Sequence, residues 1–123
     1  MTAMHEYPIT QHIISLACSA AQKKRNSEKG AAKVTAINLC MGDNCGYLAD
    51  SMALYFDLIA ENTICQGAVL NIEHIEPKLR CNKCKNLFKR KPFIFDCPVN
   101  GCGGMGEPTE IGREFYIKSI EIE

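Results

Sequence analysis

The chain has 123 residues, 46% of them hydrophobic, with 14 basic and 14 acidic side chains. That length suits one domain, or one domain with a small metal-bound appendage, and the balance is that of a soluble globular protein. A formal net charge of zero gives no global case for nucleic acid or membrane as partner, and no apolar run approaches the ~20 residues of a membrane span.

Residues 1–7 lack a basic stretch followed by an apolar one, so no secretory leader is expected. Eight cysteines without such a leader predict a reducing cytoplasm, where paired thiols mean metal more often than disulfide. Phosphate-binding loops of the Walker type, Gly-x-Gly-x-x-Gly and Gly-x-Ser-x-Gly are all absent from the sequence.

The first helix is predicted from about Thr10 to Asn26, with Pro8 before it and Thr10 as its cap. Ile9, Ile13, Ile14, Ala17 and Ala20 or Ala21 recur at helical spacing, and Lys23, Lys24 and Arg25 suit the negative end of the helix dipole. A strand follows over about Lys33–Met41, in which Ile37, Leu39 and Met41 alternate with their neighbours. Gly42-Asp43-Asn44 and Gly46 break it. A second helix covers about Ala49–Glu61, with Asp50 or Ser51 near its start and Leu48, Met52, Tyr55, Phe56 and Ile59 on one core-facing stripe. A second strand is predicted over about Ala68–Ile75. After an insert, a last strand runs over Glu114–Glu123, with a phase slip at Ser119-Ile120 that reads as a bulge. The class is therefore α+β: a small three-stranded sheet with two helices, plus an inserted four-cysteine zinc-ribbon lobe.

That insert, from Pro77 to about Pro108, carries the strongest chemical signal. It reads Cys81-Asn-Lys-Cys84, then twelve residues, then Cys97-Pro-Val-Asn-Gly-Cys102. Two cysteine pairs closed by tight turns bring four thiolates to one point, which is what a tetrahedral Zn(II) takes, with no position left for substrate. The second pair encloses four residues where two is commoner, and the turn formers Pro98, Asn100 and Gly101 absorb the extra length. Leu87, Phe88, Phe93, Ile94 and Phe95 are too few for an independent core, so structural zinc would supply folding energy on the order of 10 kcal/mol or more. Two disulfides or free thiols are the plainer alternatives.

Met4-His5-Glu6 is the other candidate. A histidine near a chain terminus is usually solvated and idle. Were Met4 the first residue, however, its amine, the His5 backbone nitrogen and imidazole, and the Glu6 backbone nitrogen would offer four nitrogens in a square. Such fields suit Ni(II) or Cu(II). His12 and His74 read as surface residues. Cys18, Cys40, Cys45 and Cys65 read as small buried hydrophobes, against a further thiolate site at Cys40 and Cys45. The acid-free basic run Lys78, Arg80, Lys83, Lys85, Lys89, Arg90 and Lys91 reads as a solvated surface that offsets a Zn(Cys)₄ centre, or as a docking patch for an acidic partner or nucleic acid.

Taken together, Met4-His5-Glu6, Gln11-His12-Ile13-Ile14, the cysteine knuckles and the closing Gly112-Arg-Glu-Phe-Tyr-Ile-Lys-Ser-Ile-Glu-Ile-Glu123 resemble the HypA/HybF family, the nickel metallochaperones of NiFe-hydrogenase maturation. The resemblance covers nearly the whole chain. It implies that His5 is the essential nickel ligand through its imidazole and backbone nitrogen. Glu6 would give a backbone nitrogen and a supporting carboxylate, and Met4 its amine, while Cys81, Cys84, Cys97 and Cys102 hold structural Zn(II). Residues 1–76 with 111–123 would be the nickel-binding domain and 77–110 the zinc-binding domain. No catalysis is implied, so the protein would not be an enzyme. Its partners would be a HypB-type GTPase and the NiFe-hydrogenase large subunit, with urease served in some organisms. The chain departs from the pattern in having Met1-Thr2-Ala3 before Met4, which turn the Met4 amine into an amide unless the chain begins at Met4. It also departs in the longer second knuckle and in the four extra thiols. The helix faces would support a homodimer and the strand edges swapping, and the sequence leaves both open. A zinc-ribbon module binding nucleic acid or protein is the alternative function. A zinc enzyme is disfavoured because four thiolates leave no place for water.

Overall fold

The computed structural model of the chain describes residues 5–27 and 32–123. The elements are α1 (Glu6–Ser27), β1 (Val34–Gly42), α2 (Ala49–Ala60), β2 (Val69–Ile75), β3 (Lys78–Cys81), β4 (Leu87–Lys89), β5 (Gly106–Pro108) and β6 (Phe115–Ile122). One three-stranded sheet has the order β2-β1-β6 and a second the order β4-β3-β5, so the α+β class holds. The chain divides into two compact units, residues 1–40, 47–73 and 116–123 in one, and 41–46 with 74–115 in the other.

In the first unit, α1 begins at Glu6 and not at the predicted Thr10. Pro8 therefore lies inside the first turn, where a missing N–H leaves no helical bond unmade. Thr10 does not cap the helix: its hydroxyl donates back to the Glu6 carbonyl at 2.7 Å, the i−4 bond open to a Thr already inside a helix. Ile13, Ile14, Ala17 and Ala21 are buried along one side, and α1 packs against α2. On α2 the buried residues are Met52, Phe56 and Ala60. Leu48 does not belong to that stripe. It is the N-cap of α2, in extended backbone, and its side chain is 61% exposed.

β1 buries Val34, Ala36, Ile37, Leu39 and Cys40, side chains that alternate between its two faces. It is the central strand of its sheet, which accounts for apolar residues on both sides. Its direction relative to β6 follows from three contacts: Lys33 O accepts from Glu123 N at 2.9 Å, Thr35 Oγ1 donates to Glu121 O at 3.2 Å, and Asn38 Nδ2 donates to Ser119 Oγ at 2.9 Å. As one number rises the other falls, so the pair is antiparallel. Along β6 the alternation of exposure breaks at Lys118 and Ser119, which are both exposed, next to the predicted slip.

In the second unit, β3 pairs antiparallel with β4, Leu79 opposite Phe88, and with β5, Cys81 opposite Gly106. Gly106 is required there, because a Cβ would run into Phe88 and Leu79. The closing Gly112-Arg113-Glu114 proves to be a turn device. Gly112 has φ +105, and its N–H donates to Glu114 Oε1 at 2.7 Å. Its carbonyl accepts from Asn44 N at 2.7 Å; a Cβ on Gly42 would run into that carbonyl, and one on Gly112 would run into Pro77.

Phe56 is the largest of the fully buried side chains. Phe56→Ala should lower unfolding free energy by about 3–5 kcal/mol, the usual cost of deleting a buried ring, read as a shift of the urea midpoint at unchanged slope.

Candidate metal centre

The first knuckle is built where β3 ends. Cys81 N donates to Asn86 O at 2.9 Å and Cys81 O accepts from Lys85 N at 3.1 Å, folding residues 81–86 into a tight loop with Lys85 at φ +65. The backbone N–H groups of Lys83 and Cys84 point at Cys81 Sγ, 3.3 and 3.4 Å away. Led by the N–H of Cys84, they bring the Cys81 thiol down to about 6, as donors aimed at a developing thiolate do. The second knuckle has its own turn, with Cys102 N donating to Val99 O at 3.1 Å and Cys97 N to Gly104 O at 2.9 Å. Gly101, inside the knuckle, and Gly103, just past it, take φ +78 and +70.

The four Sγ atoms lie within 4.8 Å of one another. Cys81 and Cys102 are 3.5 Å apart, and Cys84 and Cys97 3.7 Å. A tetrahedron with Zn–S bonds of about 2.3 Å has edges of about 3.8 Å, so the donor set fits zinc in type, number and spacing. Among the described residues this is the one cluster of three or more ligating side chains. Gly104 is packed against it, since a Cβ there would collide with Cys81 Sγ.

At the other candidate, Met4 lies outside the described residues. His5 is exposed at the head of α1, with its ring stacked on Tyr47 at a centroid distance of 5.3 Å and 30° between planes. Glu6 is 1% exposed. Its Oε2 accepts the Leu48 N–H at 3.0 Å, while Oε1 is buried with no hydrogen-bond partner among the described residues. In a capping box, a helix's own third residue would take the N-cap N–H; here the carboxylate of another helix does. Among the described residues His5 belongs to no group of three or more ligating side chains.

The remaining candidates sort simply. His12 is exposed, and His74, 57% exposed, faces Asp43 at 3.4 Å. Cys40 and Cys65 are buried and Cys18 and Cys45 half-buried. Cys18 Sγ and Cys65 Sγ meet at 3.6 Å, a pairing that residues 47 apart in sequence do not announce, and burial pushes the Cys65 thiol up to about 12. Of the basic run, Lys89 pairs with Glu76 at 3.0 Å, Arg80 donates to Lys85 O at 3.0 Å, and Lys85 Nζ donates to Asn82 O at 3.3 Å.

The fold and the cluster define a small α+β protein with a closed four-thiol centre of the zinc-holding kind. The profile of the family described as "Hydrogenase/urease nickel incorporation, metallochaperone, hypA" matches residues 4–122. A "Hydrogenase maturation factor HypA" from Caldanaerobacter subterraneus subsp. tengcongensis is 37% identical over 121 residues, 98% of this chain and 100% of the relative. One of the same name from Methanocaldococcus jannaschii is 31% identical, covering 98% of each. Among solved structures, a solution structure of "HypA protein" aligns with TM-score 0.61 at 22% identity, over 98% of this chain and 97% of the other. That of the "Ni metallochaperone HypA from Helicobacter pylori" aligns with TM-score 0.50 at 18% identity, over 91% and 95%. The chain belongs to the HypA family of hydrogenase maturation factors and nickel metallochaperones.

Gly104→Ala should weaken zinc retention by about 10–100-fold, the scale of losing a metal site's supporting contacts. Competition with a chromogenic chelator measures it, and retention equal to wild type would show that the cluster does not need this close approach.

Proposed function

We propose that this chain carries Ni(II) at Met4-His5-Glu6 and passes it on during maturation of NiFe-hydrogenase, by ligand exchange and not by catalysis. The observation that carries the proposal is the contrast between the two donor sets. The cysteine cluster brings four thiols within 4.8 Å of one another, enough to fill a tetrahedral ion, and holds Zn(II) for structure alone. His5 stands exposed at the start of α1 with an imidazole that a second protein can reach. The nickel ligands are the His5 imidazole and backbone nitrogen, the Glu6 backbone nitrogen and, where the chain begins at Met4, that residue's amine, a nitrogen set suited to Ni(II).

In this reading residues 1–76 with 111–123 serve nickel and residues 77–110 serve zinc. The partners are a HypB-type GTPase and the hydrogenase large subunit, in the cytoplasm, with urease a second recipient of the kind the family description names. Few ligands at a chain terminus favour transfer, because each leaves without breaking a cage. A nucleic-acid-binding ribbon has less support, since Arg80 and Lys85 are engaged within their own lobe and Lys89 pairs with Glu76.

His5→Ala should abolish specific nickel binding, a loss beyond about 100-fold given that supporting contacts alone cost 10–100-fold, with zinc content and unfolding midpoint unchanged. Calorimetric titration tests this, and unaltered nickel affinity would overturn the assignment.

Nickel affinity should also fall on acidification from pH 8 to about pH 6. Imidazole and amide nitrogens must give up protons to ligate, and each proton released costs about tenfold per pH unit. The same titration repeated across pH reads the slope, and a flat profile would count against nitrogen ligation.

A further inference from the structure

We infer that Tyr47 is the positioning residue for the His5 imidazole, and that residues 47–55, the lead-in to α2 with its first two turns, clasp His5 and the first two residues of α1. The inference rests on the nickel reading above and names what holds its one described side-chain donor. His5, Glu6 and Tyr7 are consecutive, and each is met from the same short stretch. The His5 ring stacks on Tyr47. The Glu6 carboxylate takes the Leu48 N–H at 3.0 Å. Tyr7 meets Tyr55 edge to face, with centroids 5.3 Å apart and planes at 78°.

An imidazole at an exposed helix start would otherwise turn through its rotamers, and a metal must select one of them. A half-buried phenol ring beneath it limits that search before the metal arrives. The stack also distinguishes loaded from empty protein. An imidazole that donates to Ni(II) becomes electron-poor, and the electron-rich face of Tyr attracts an electron-poor ring more strongly. Glu6 and Tyr7 fix the backbone on which His5 stands, so the ring cannot follow a fraying helix end away from Tyr47. The buried, unpartnered Oε1 of Glu6 keeps one acceptor beside the same backbone.

The test uses the full chain with Tyr47→Phe, Tyr47→Leu and Tyr47→Ala, read in two ways. In nickel-free protein, NMR of the His5 ring protons reports the ring current of the stacked partner. It should persist in Tyr47→Phe and vanish in Tyr47→Leu and Tyr47→Ala. In nickel-loaded protein, release to excess chelator should be within about twofold of wild type for Tyr47→Phe and about 2–10-fold faster for the other two, the factor expected of one aromatic pair. Tyr47→Leu keeps apolar bulk without a π face, so it decides the matter should Tyr47→Ala fold poorly. Unchanged His5 shifts and release in Tyr47→Leu overturn the inference, and so does a Tyr47→Phe variant as fast as Tyr47→Leu, since the hydroxyl would then be the agent. His5→Ala run alongside separates the two claims. If it binds nickel like wild type, the nickel reading fails; if it loses nickel while Tyr47→Leu releases it normally, the clasp alone fails.

Discussion

Four thiols meeting at one point are the constraint on which the second unit depends. That unit has little else to hold it. Leu79 and Cys81 are buried, but Phe93 is 97% exposed, and Leu87, Ile94, Phe95, Val99 and Met105 are exposed as well. Three strands of three or four residues with so small a core fall short of what folding normally demands. A metal bound by both knuckles would close the deficit, because binding free energy at such a site is folding free energy. The backbone is already arranged for it. N–H groups aim at Cys81 Sγ, and Gly104 leaves the space the sulfur occupies.

The first unit is governed differently, by ordinary burial. α1, α2 and β1 contribute Ile13, Ile14, Met52, Phe56, Ile37 and Leu39 to its interior, and burial of apolar area is sufficient to order them. What is unusual is confined to one end. Glu6 is a buried carboxylate that takes the N–H of another helix's cap. A hydrogen bond left unmade in a buried place is costly. The Glu6 side chain supplies an acceptor for a donor that the Leu48 side chain cannot serve.

Much of this was legible in the sequence, and the misses have physical causes. The cysteine spacing specified the cluster, since only tight turns bridge two or four residues between ligands to one ion. Helical periodicity located both helices and separated Phe56 and Met52 from the surface. The start of α1 was not legible, because Pro8 and Thr10 look like a boundary by local preference while tertiary contacts at Glu6 extend the helix past them. Leu48 fits the apolar stripe by number, yet it lies outside the helix, where the 3.6-residue period no longer applies. The strands of the second unit are too short to show a period of two. The contacts of Cys18 with Cys65 and of His5 with Tyr47 join residues distant in the chain, and nothing local marks them. The Gly112-Arg-Glu motif was visible as a resemblance, but its role as a close-approach turn needed Gly42 and Pro77 beside it.

The bond from Leu48 to Glu6 ties the opening residue of one helix to the opening residue of another. Neither helix can fray at its amino end without orphaning a buried group in its neighbour, so unwinding there is a joint event and not two independent ones. The amide proton of Leu48 thereby becomes a reporter: its exchange with solvent follows whether the start of α1, forty-two residues away along the chain, stays closed, without any label on α1 itself.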